Sequence, residues 1–263
     1  MAILQVGFFS KCLLRNVSLS VALPFDVLTA PGDKHTADLP AKTFYLLHGM
    51  FGNCRDWVEG TRVLPWAMER NIALIMPSGE NHFYVDCEAS GERYGEFIGK
   101  ELPEVCQTMF RLPSSREDTI IGGLSMGGYG ALRNGLKYPR TFGRIAALSS
   151  ALITDTFAGK PADDPASTFV MKQRYMQSVF GDPDTMKGSD NDCKTLALRC
   201  KEAGIIPDIY LACGTEDPLL APNRDFYRFL KENEIPCTYE ESPGAHTWEY
   251  WDATILKVLD WIV

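Results

Sequence analysis

The sequence predicts an α/β fold, in which one mostly parallel sheet of about eight strands carries helices on both faces. Short apolar runs recur along the chain, and stretches of helical periodicity separate them. The 263 residues, of which 45% are hydrophobic, suit one large domain with a substantial core. We therefore expect a single domain over residues 1–263, with residues 151–207 forming a small cap-like insertion.

Two strands are expected first, at 3–12 and 16–23. The second alternates strictly between apolar and polar residues, which predicts a half-exposed antiparallel edge strand. The later strands are short apolar runs of the kind that parallel sheets bury on both faces: 43–47, 72–77, 119–124, 144–149, 209–213 and 238–240.

Helical periodicity fills most of the intervals between these strands. Pro65 is expected to divide a helix at 57–70 into two pieces, and Pro103 to disturb a helix at 92–110. A long polar and aromatic loop is expected at 78–91. The remaining predicted helices are 168–180, 192–203, 223–233 and a closing amphipathic helix from Trp248 to Ile262.

The bulk composition excludes several classes of function. A formal net charge of -8 argues against a nucleic-acid binder. The chain lacks an apolar run of roughly 18 residues, so no membrane span is predicted. The eight cysteines are scattered, without metal-ligand spacing, which favours reduced, mostly buried thiols and a cytoplasmic protein. We predict neither a metal nor a cofactor.

Ser125 lies in a Gly-x-Ser-x-Gly pattern that begins at Gly123 and ends at Gly127. An apolar strand precedes the pattern, and a helical stretch follows it. This context is typical of a nucleophile elbow, a sharp turn that presents a serine hydroxyl between a strand and a helix. Glycines are expected on both sides because a side chain there would collide across the turn.

A serine hydroxyl needs a base within hydrogen-bonding distance, and the chain has only four histidines. His246 follows the last strand and should share the carboxyl edge of the sheet with Ser125, so it is the predicted base. His48 ends the third strand and is expected to order the loop that follows. His35 is placed in a polar surface loop. His82 is assigned a solvated or packing role.

The acid that orients the imidazole is predicted to be Asp217, in the loop after the penultimate strand. Glu216 is the nearest competitor. Asp208 is a weaker candidate because it precedes its strand and should lie at the opposite edge of the sheet.

Two backbone N–H groups are needed to bind the oxyanion of a tetrahedral intermediate. Met126 follows the nucleophile and should supply one. Met50, in the loop after the third strand, is predicted to supply the other, with Phe51 as the alternative if the loop lies one residue out of register.

Four aromatic side chains are the predicted lining of the mouth of this site, although core packing accounts equally well for the first: Trp57, Phe83, Tyr84 and Trp248.

Together these motifs resemble the tributyrin-esterase branch of the esterase D-like α/β-hydrolases, which is related to feruloyl and acetyl esterases and to S-formylglutathione hydrolases. The resemblance spans nearly the whole chain and rests on residues 48–53 with Trp57, on 123–132, on 214–217 and on His246-x-Trp248. It implies the α/β-hydrolase fold and supports the roles assigned above. Tyr129 stands where the formylglutathione hydrolases usually carry histidine.

The expected function is that of a serine carboxylesterase acting on acetyl to butyryl esters, with plant polysaccharide or hydroxycinnamoyl esters as candidate substrates. The preference for small acyl groups is what the resemblance implies. Thioester hydrolysis, for example of S-formylglutathione, uses the same residues and remains an alternative, as do a serine peptidase and a non-catalytic binding protein of this fold. The expected partner is a small-molecule or carbohydrate-linked ester, with no nucleic acid and no membrane; a homo-oligomer is left open.

Overall fold

The structure is a computed structural model that describes residues 1–25, 40–153 and 173–263. Eight strands of the described chain form one sheet: β1 (Ala2–Ser10), β2 (Arg15–Leu23), β3 (Lys42–Leu47), β4 (Ile72–Pro77), β7 (Thr119–Leu124), β8 (Arg144–Leu148), β9 (Asp208–Gly214) and β10 (Thr238–Ser242). Their order across the sheet is β1-β2-β4-β3-β7-β8-β9-β10. All eight predicted strands are therefore confirmed.

The sheet is parallel from β4 to β10, and of its eight strands only β2 runs against the others. β2 pairs antiparallel with both β1 and β4, whereas β3 lies parallel between β4 and β7. β8, β9 and β10 continue the parallel part. The carboxyl ends of six strands consequently meet at one edge, where loops from distant parts of the chain come together.

The prediction that the second strand is an edge strand is wrong, because β1 lies outside it. The alternation in sequence indicates one solvated face, but it does not show which strand ends the sheet. Alternation in the structure is clearest in β1, where residues alternate between half-buried and exposed; the second half of β2 is buried.

Helices cover both faces, as predicted. One face is covered by α1 (Asp56–Gly60), α2 (Val63–Glu69) and the closing helix α9 (Trp248–Ile262). The core on the opposite face includes residues of α3 (Tyr94–Glu96), α4 (Leu102–Phe110), α5 (Met126–Lys137), α6 (Gln173–Phe180), α7 (Cys193–Glu202) and α8 (Leu220–Glu232). Each face of the sheet thus has its own apolar core. The loops at the carboxyl edge of the sheet are what remains to form a site.

The two prolines act near the predicted places. α1 and α2 are separate helices, but the break precedes Pro65, which lies in the first turn of α2, where its missing N–H has no helical partner to lose. A π-helical turn, Phe97–Glu101, joins α3 to α4 just before Pro103.

The predicted 78–91 loop also contains a short strand, β5 (Asp86–Cys87), which forms a hairpin with β6 (Glu92–Arg93) just beyond the loop. Its two-residue strands are too brief for a periodic signal.

His35 and the first part of the predicted 168–180 helix lie outside the described residues. The described part of that helix is α6, and α7 matches the helix predicted at 192–203. The assignment of residues 151–207 as a cap stays a prediction.

All eight cysteines are unpaired, and seven of them are buried. Among the helices of the described chain, none is both long and apolar enough to cross a bilayer.

Candidate active site

Ser125 occupies a sharp turn between β7 and α5, with a φ angle of 55°. A positive φ is uncommon for a residue other than glycine. The turn is also tightly packed: a Cβ on Gly127 would lie 2.4 Å from the Leu47 carbonyl oxygen, and one on Gly123 would lie 2.6 Å from the Gly127 carbonyl oxygen. The predicted reason for both glycines is confirmed.

A row of hydrogen bonds extends from Ser125 to Asp217. The Ser125 Oγ lies 3.0 Å from His246 Nε2, and His246 Nδ1 lies 2.8 Å from Asp217 Oδ2. Because the carboxylate can only accept at Nδ1, that nitrogen carries the proton of a neutral imidazole. Nε2 is then free to accept the Ser125 hydroxyl proton.

Asp217 is buried and held at both carboxylate oxygens. Its Oδ1 accepts the Leu219 N–H at 2.8 Å while Oδ2 accepts from His246. Burial opposes the ionisation of Asp217, but hydrogen bonds from His246, the Leu219 N–H and Ser149 outweigh burial and hold its pKa below the ordinary value. Asp217 therefore remains a carboxylate at neutral pH.

The imidazole is also oriented from the side of the closing helix. The Trp251 ring meets the His246 ring edge-on, with the ring centroids 4.8 Å apart. The Trp251 indole N–H donates to the buried Ser149 Oγ at 3.1 Å. Ser149 and Trp251 thus link Asp217 and His246 through a second route, which no motif in the sequence marks.

The two competing acids do not contact His246. Glu216 accepts hydrogen bonds from the Gly244 N–H and the Thr215 hydroxyl. Asp208 begins β9 and so lies at the opposite edge of the sheet. Asp217 is the acid that the structure brings to the imidazole.

His48 is buried and orders the loop that follows β3, as predicted. Its Nε2 accepts the Gly79 N–H at 2.8 Å, so its Nδ1 carries the proton and donates to the Gly49 carbonyl oxygen at 2.6 Å. Burial lowers the pKa of His48 and keeps it neutral. His82 stacks on Tyr94 at 4.9 Å, in the packing role predicted for it.

Residues 48–54, here called the donor loop, lie beside Ser125. The Phe51 N–H donates to Asn81 Oδ1 at 2.8 Å and is therefore occupied. This contact favours the predicted Met50 N–H over the Phe51 alternative as an oxyanion donor. Met126 is the first residue of α5, where N–H groups have no partner within the helix.

A cavity of about 560 Å³ opens at Ser125 and His246. Two carboxylates, Asp56 and Glu249, belong to its lining as far as the structure describes it, and no lysine or arginine does. The other lining residues are Gly49, Met50, Phe51, Leu124, Thr247, Trp248 and Trp251. Phe51, which was not among the predicted substrate-binding residues, is 73% exposed and forms an apolar rim of the cavity.

Of the four aromatic residues predicted at the mouth, only Trp248 lines this cavity. Trp57 is buried; its indole N–H donates to the Leu47 carbonyl oxygen at 2.9 Å, and its ring packs against Trp248. Phe83 is buried against Tyr129 and Phe180. Tyr84 is buried too, and its hydroxyl donates to the His48 carbonyl oxygen at 3.0 Å. For Trp57, which lies in α1, the core-packing alternative is therefore the one observed. The predictions for Phe83 and Tyr84 are corrected: both support the site from the core, because the loop that carries them folds inward.

Comparisons with known proteins find relatives that match along nearly the whole chain. The model of the Esterase family matches residues 13–262. An acetyl esterase of Caldicellulosiruptor saccharolyticus is 46% identical over 266 residues, covering 100% of this chain and 98% of the relative.

Two solved structures from Staphylococcus aureus have similar folds. The fluorophosphonate-binding serine hydrolase FphF is 25% identical with a TM-score of 0.84, and the S-formylglutathione hydrolase FrmB is 26% identical with a TM-score of 0.81. Each alignment covers 99% of this chain and 98% of the other.

Replacing each candidate acid separately tests which one serves His246. We expect Asp217→Asn to lower kcat on p-nitrophenyl acetate by about 10³-fold or more, because the amide cannot hold the imidazole in the required tautomer. Glu216→Gln is the matched control in the adjacent position and should keep kcat within about 3-fold. Steady-state kinetics decide, and a larger loss in Glu216→Gln than in Asp217→Asn would contradict the assignment.

Proposed function

Because this chain belongs to the Esterase family, we propose that Ser125, His246 and Asp217 form a catalytic triad that hydrolyses short-chain acyl esters. The chain is a carboxylic-ester hydrolase of the α/β-hydrolase fold. This excludes the non-catalytic alternative. The single observation that carries the triad is the continuous row of hydrogen bonds, 3.0 Å and 2.8 Å long, from Ser125 through His246 to Asp217.

In the proposed acylation step, His246 Nε2 takes the proton of Ser125 as Oγ attacks the ester carbonyl carbon. Asp217 stabilises the imidazolium that results. The N–H groups of Met50 and Met126 bind the oxyanion. The intermediate then collapses, the ester C–O bond breaks, and His246 returns the proton to the departing alcohol.

Deacylation repeats these steps with water in place of Ser125. His246 takes a proton from water, the hydroxide adds to the acyl carbonyl, and the acid departs as Ser125 regains its proton. At the start of both half-reactions, the hydrogen bond between Nδ1 and Asp217 holds the imidazole in the tautomer whose Nε2 can accept a proton.

We propose acetyl to butyryl groups as the acyl part of the substrate. The 46% identity with an acetyl esterase over the full chain supports this choice. Esters on plant polysaccharide and hydroxycinnamoyl esters are candidate natural substrates, for which exposed Phe51 and half-buried Trp248 offer apolar surface beside Ser125.

Hydrolysis of S-formylglutathione is the second candidate function, because the similar FrmB structure carries that activity in its name. Glutathione has two carboxylates, and the described cavity lining adds Asp56 and Glu249 without a lysine or arginine. Like charges across a binding surface disfavour association. The cavity therefore favours a neutral ester over this anionic thioester.

Ser125→Ala tests the proposed nucleophile. We expect the variant to lose about 10⁴-fold or more of kcat on p-nitrophenyl acetate while its melting temperature stays close to that of the wild type, because only one hydroxyl is removed. Ser90→Ala, in the exposed β5–β6 connection, is a serine control that should keep full activity. Turnover retained by Ser125→Ala would rule out the mechanism.

A substrate profile tests the choice between ester and thioester. We expect kcat/KM to be highest on acetyl and butyryl esters, lower on octanoyl esters, and lower still on S-formylglutathione. Glu249→Lys should raise the thioester rate relative to the acetate rate by about 3-fold at low salt, since it reverses a charge at the cavity. A wild-type preference for the thioester would favour the second candidate.

A further inference from the structure

The donor loop is fastened to residues 78–84, here called the support loop, by hydrogen bonds spread along its length. His48 bonds the support loop twice: Nε2 accepts the Gly79 N–H, and its carbonyl oxygen accepts the Tyr84 hydroxyl. The Cys54 N–H donates to Ser78 Oγ at 3.1 Å. Phe51 lies at the tip of the donor loop, between these two ends. Among the described hydrogen bonds, the one that joins this tip to the support loop is from the Phe51 N–H to Asn81 Oδ1.

Asn81 is tied on two sides. Its side chain accepts the Phe51 N–H, and its own carbonyl oxygen accepts the hydroxyl of Tyr175. Tyr175 lies in α6, 94 residues further along the chain, and its hydroxyl oxygen also lies 3.5 Å from Met50 Sδ. Asn81 therefore joins the tip of the donor loop to a helix of the segment between β8 and β9.

The backbone on both sides of this contact is strained. Phe51 has a φ angle of 66°, and Glu80, Phe83 and Tyr84 in the support loop have φ angles of 47°, 51° and 58°. Residues of these types with positive φ are strained and persist only where their surroundings hold them. Such strain is concentrated at functional sites.

We propose that Asn81 is a positioning residue that directs the Met50 N–H toward the oxyanion, and that Tyr175 holds Asn81 in place. Because Asn81 accepts the Phe51 N–H, it fixes the orientation of the peptide between Met50 and Phe51. The Met50 N–H is then left as the oxyanion donor of this loop. The inference rests on the proposed function, since it requires Met50 to bind the oxyanion. It makes α6 a contributor to the rate of the chemical step.

A second contact supports the link to α6. Phe180, the last residue of that helix, packs on Phe83 of the support loop with the ring centroids 5.1 Å apart. The helix thus touches the support loop on both sides of His82, through a hydrogen bond at Asn81 and an aromatic contact at Phe83.

Asn81→Ala removes the side-chain acceptor of the Phe51 N–H and keeps the backbone carbonyl that accepts from Tyr175. We expect kcat on p-nitrophenyl acetate to fall about 30-fold, with KM within about 3-fold of the wild type, because a displaced donor weakens the transition state more than the ground state. The affinity for an alkyl boronic acid, which forms a tetrahedral adduct on serine, should weaken by a similar factor. Asn233→Ala, at the end of α8, is the matched control.

Tyr175→Phe keeps the aromatic ring and removes only the hydroxyl, so it guards against a folding defect. We expect a loss of about 5-fold in kcat, again without a matching change in KM. The double variant Asn81→Ala with Tyr175→Phe should have a kcat close to that of Asn81→Ala alone, because both substitutions act through residue 81. Tyr239→Phe, on β10, is its control and should keep wild-type kinetics.

The result that overturns the inference is wild-type kcat and boronate affinity in Asn81→Ala, or a loss that appears only in KM. Ser125→Ala separates this failure from failure of the proposed function. If that variant is inactive and Asn81→Ala is fully active, the triad stands and the role of Asn81 does not.

Discussion

The close approach of the β7–α5 turn to the end of β3 is the constraint on which the site depends. Gly127 lies against the Leu47 and His48 carbonyl oxygens with no room for a Cβ. Because the donor loop begins at His48, the backbone that carries the nucleophile and the backbone that carries the donor are in direct contact. Any side chain at Gly127 would move Ser125 and Met50 apart. The absence of a side chain at this position is therefore required both for packing and for the proposed chemistry.

Everything else at the site orients side chains around that contact. β9 and β10 deliver Asp217 and His246 to the same edge of the sheet, and α9 places Trp251 against the imidazole. His48 is used entirely for structure, with both ring nitrogens bonded to backbone groups. The site therefore separates two roles of histidine: one buried ring orders a loop, and one partly exposed ring can exchange protons.

Local signals in the sequence were enough to predict the strands and the three hydrogen-bonded residues Ser125, His246 and Asp217. Apolar runs marked the eight strands, and the glycines around Ser125 marked the turn. The position of His246 after the last strand narrowed four histidines to one. In contrast, the strand at the edge could not be read from β2, since pairing partners of a strand are not encoded in its own alternation.

Contacts between distant loops explain the rest. Phe83 and Tyr84 follow a strand at the correct edge, but whether they face the cavity or the core depends on packing against Tyr129 and His48. Asn81 and Tyr175 had no motif to mark them, because their roles arise only when a loop and a helix meet that lie 94 residues apart in the chain. Ser149 is similar: a buried serine becomes informative only beside Asp217 and Trp251.

Covalent labelling of the folded protein with a fluorophosphonate, followed by peptide mass spectrometry, tests the central claim that Ser125 is the nucleophile. We expect one adduct per chain, located on Ser125. The adduct should be lost when the protein is unfolded before labelling, since an isolated serine hydroxyl is a weak nucleophile. No adduct on the folded protein, or an adduct on a different residue, would contradict it.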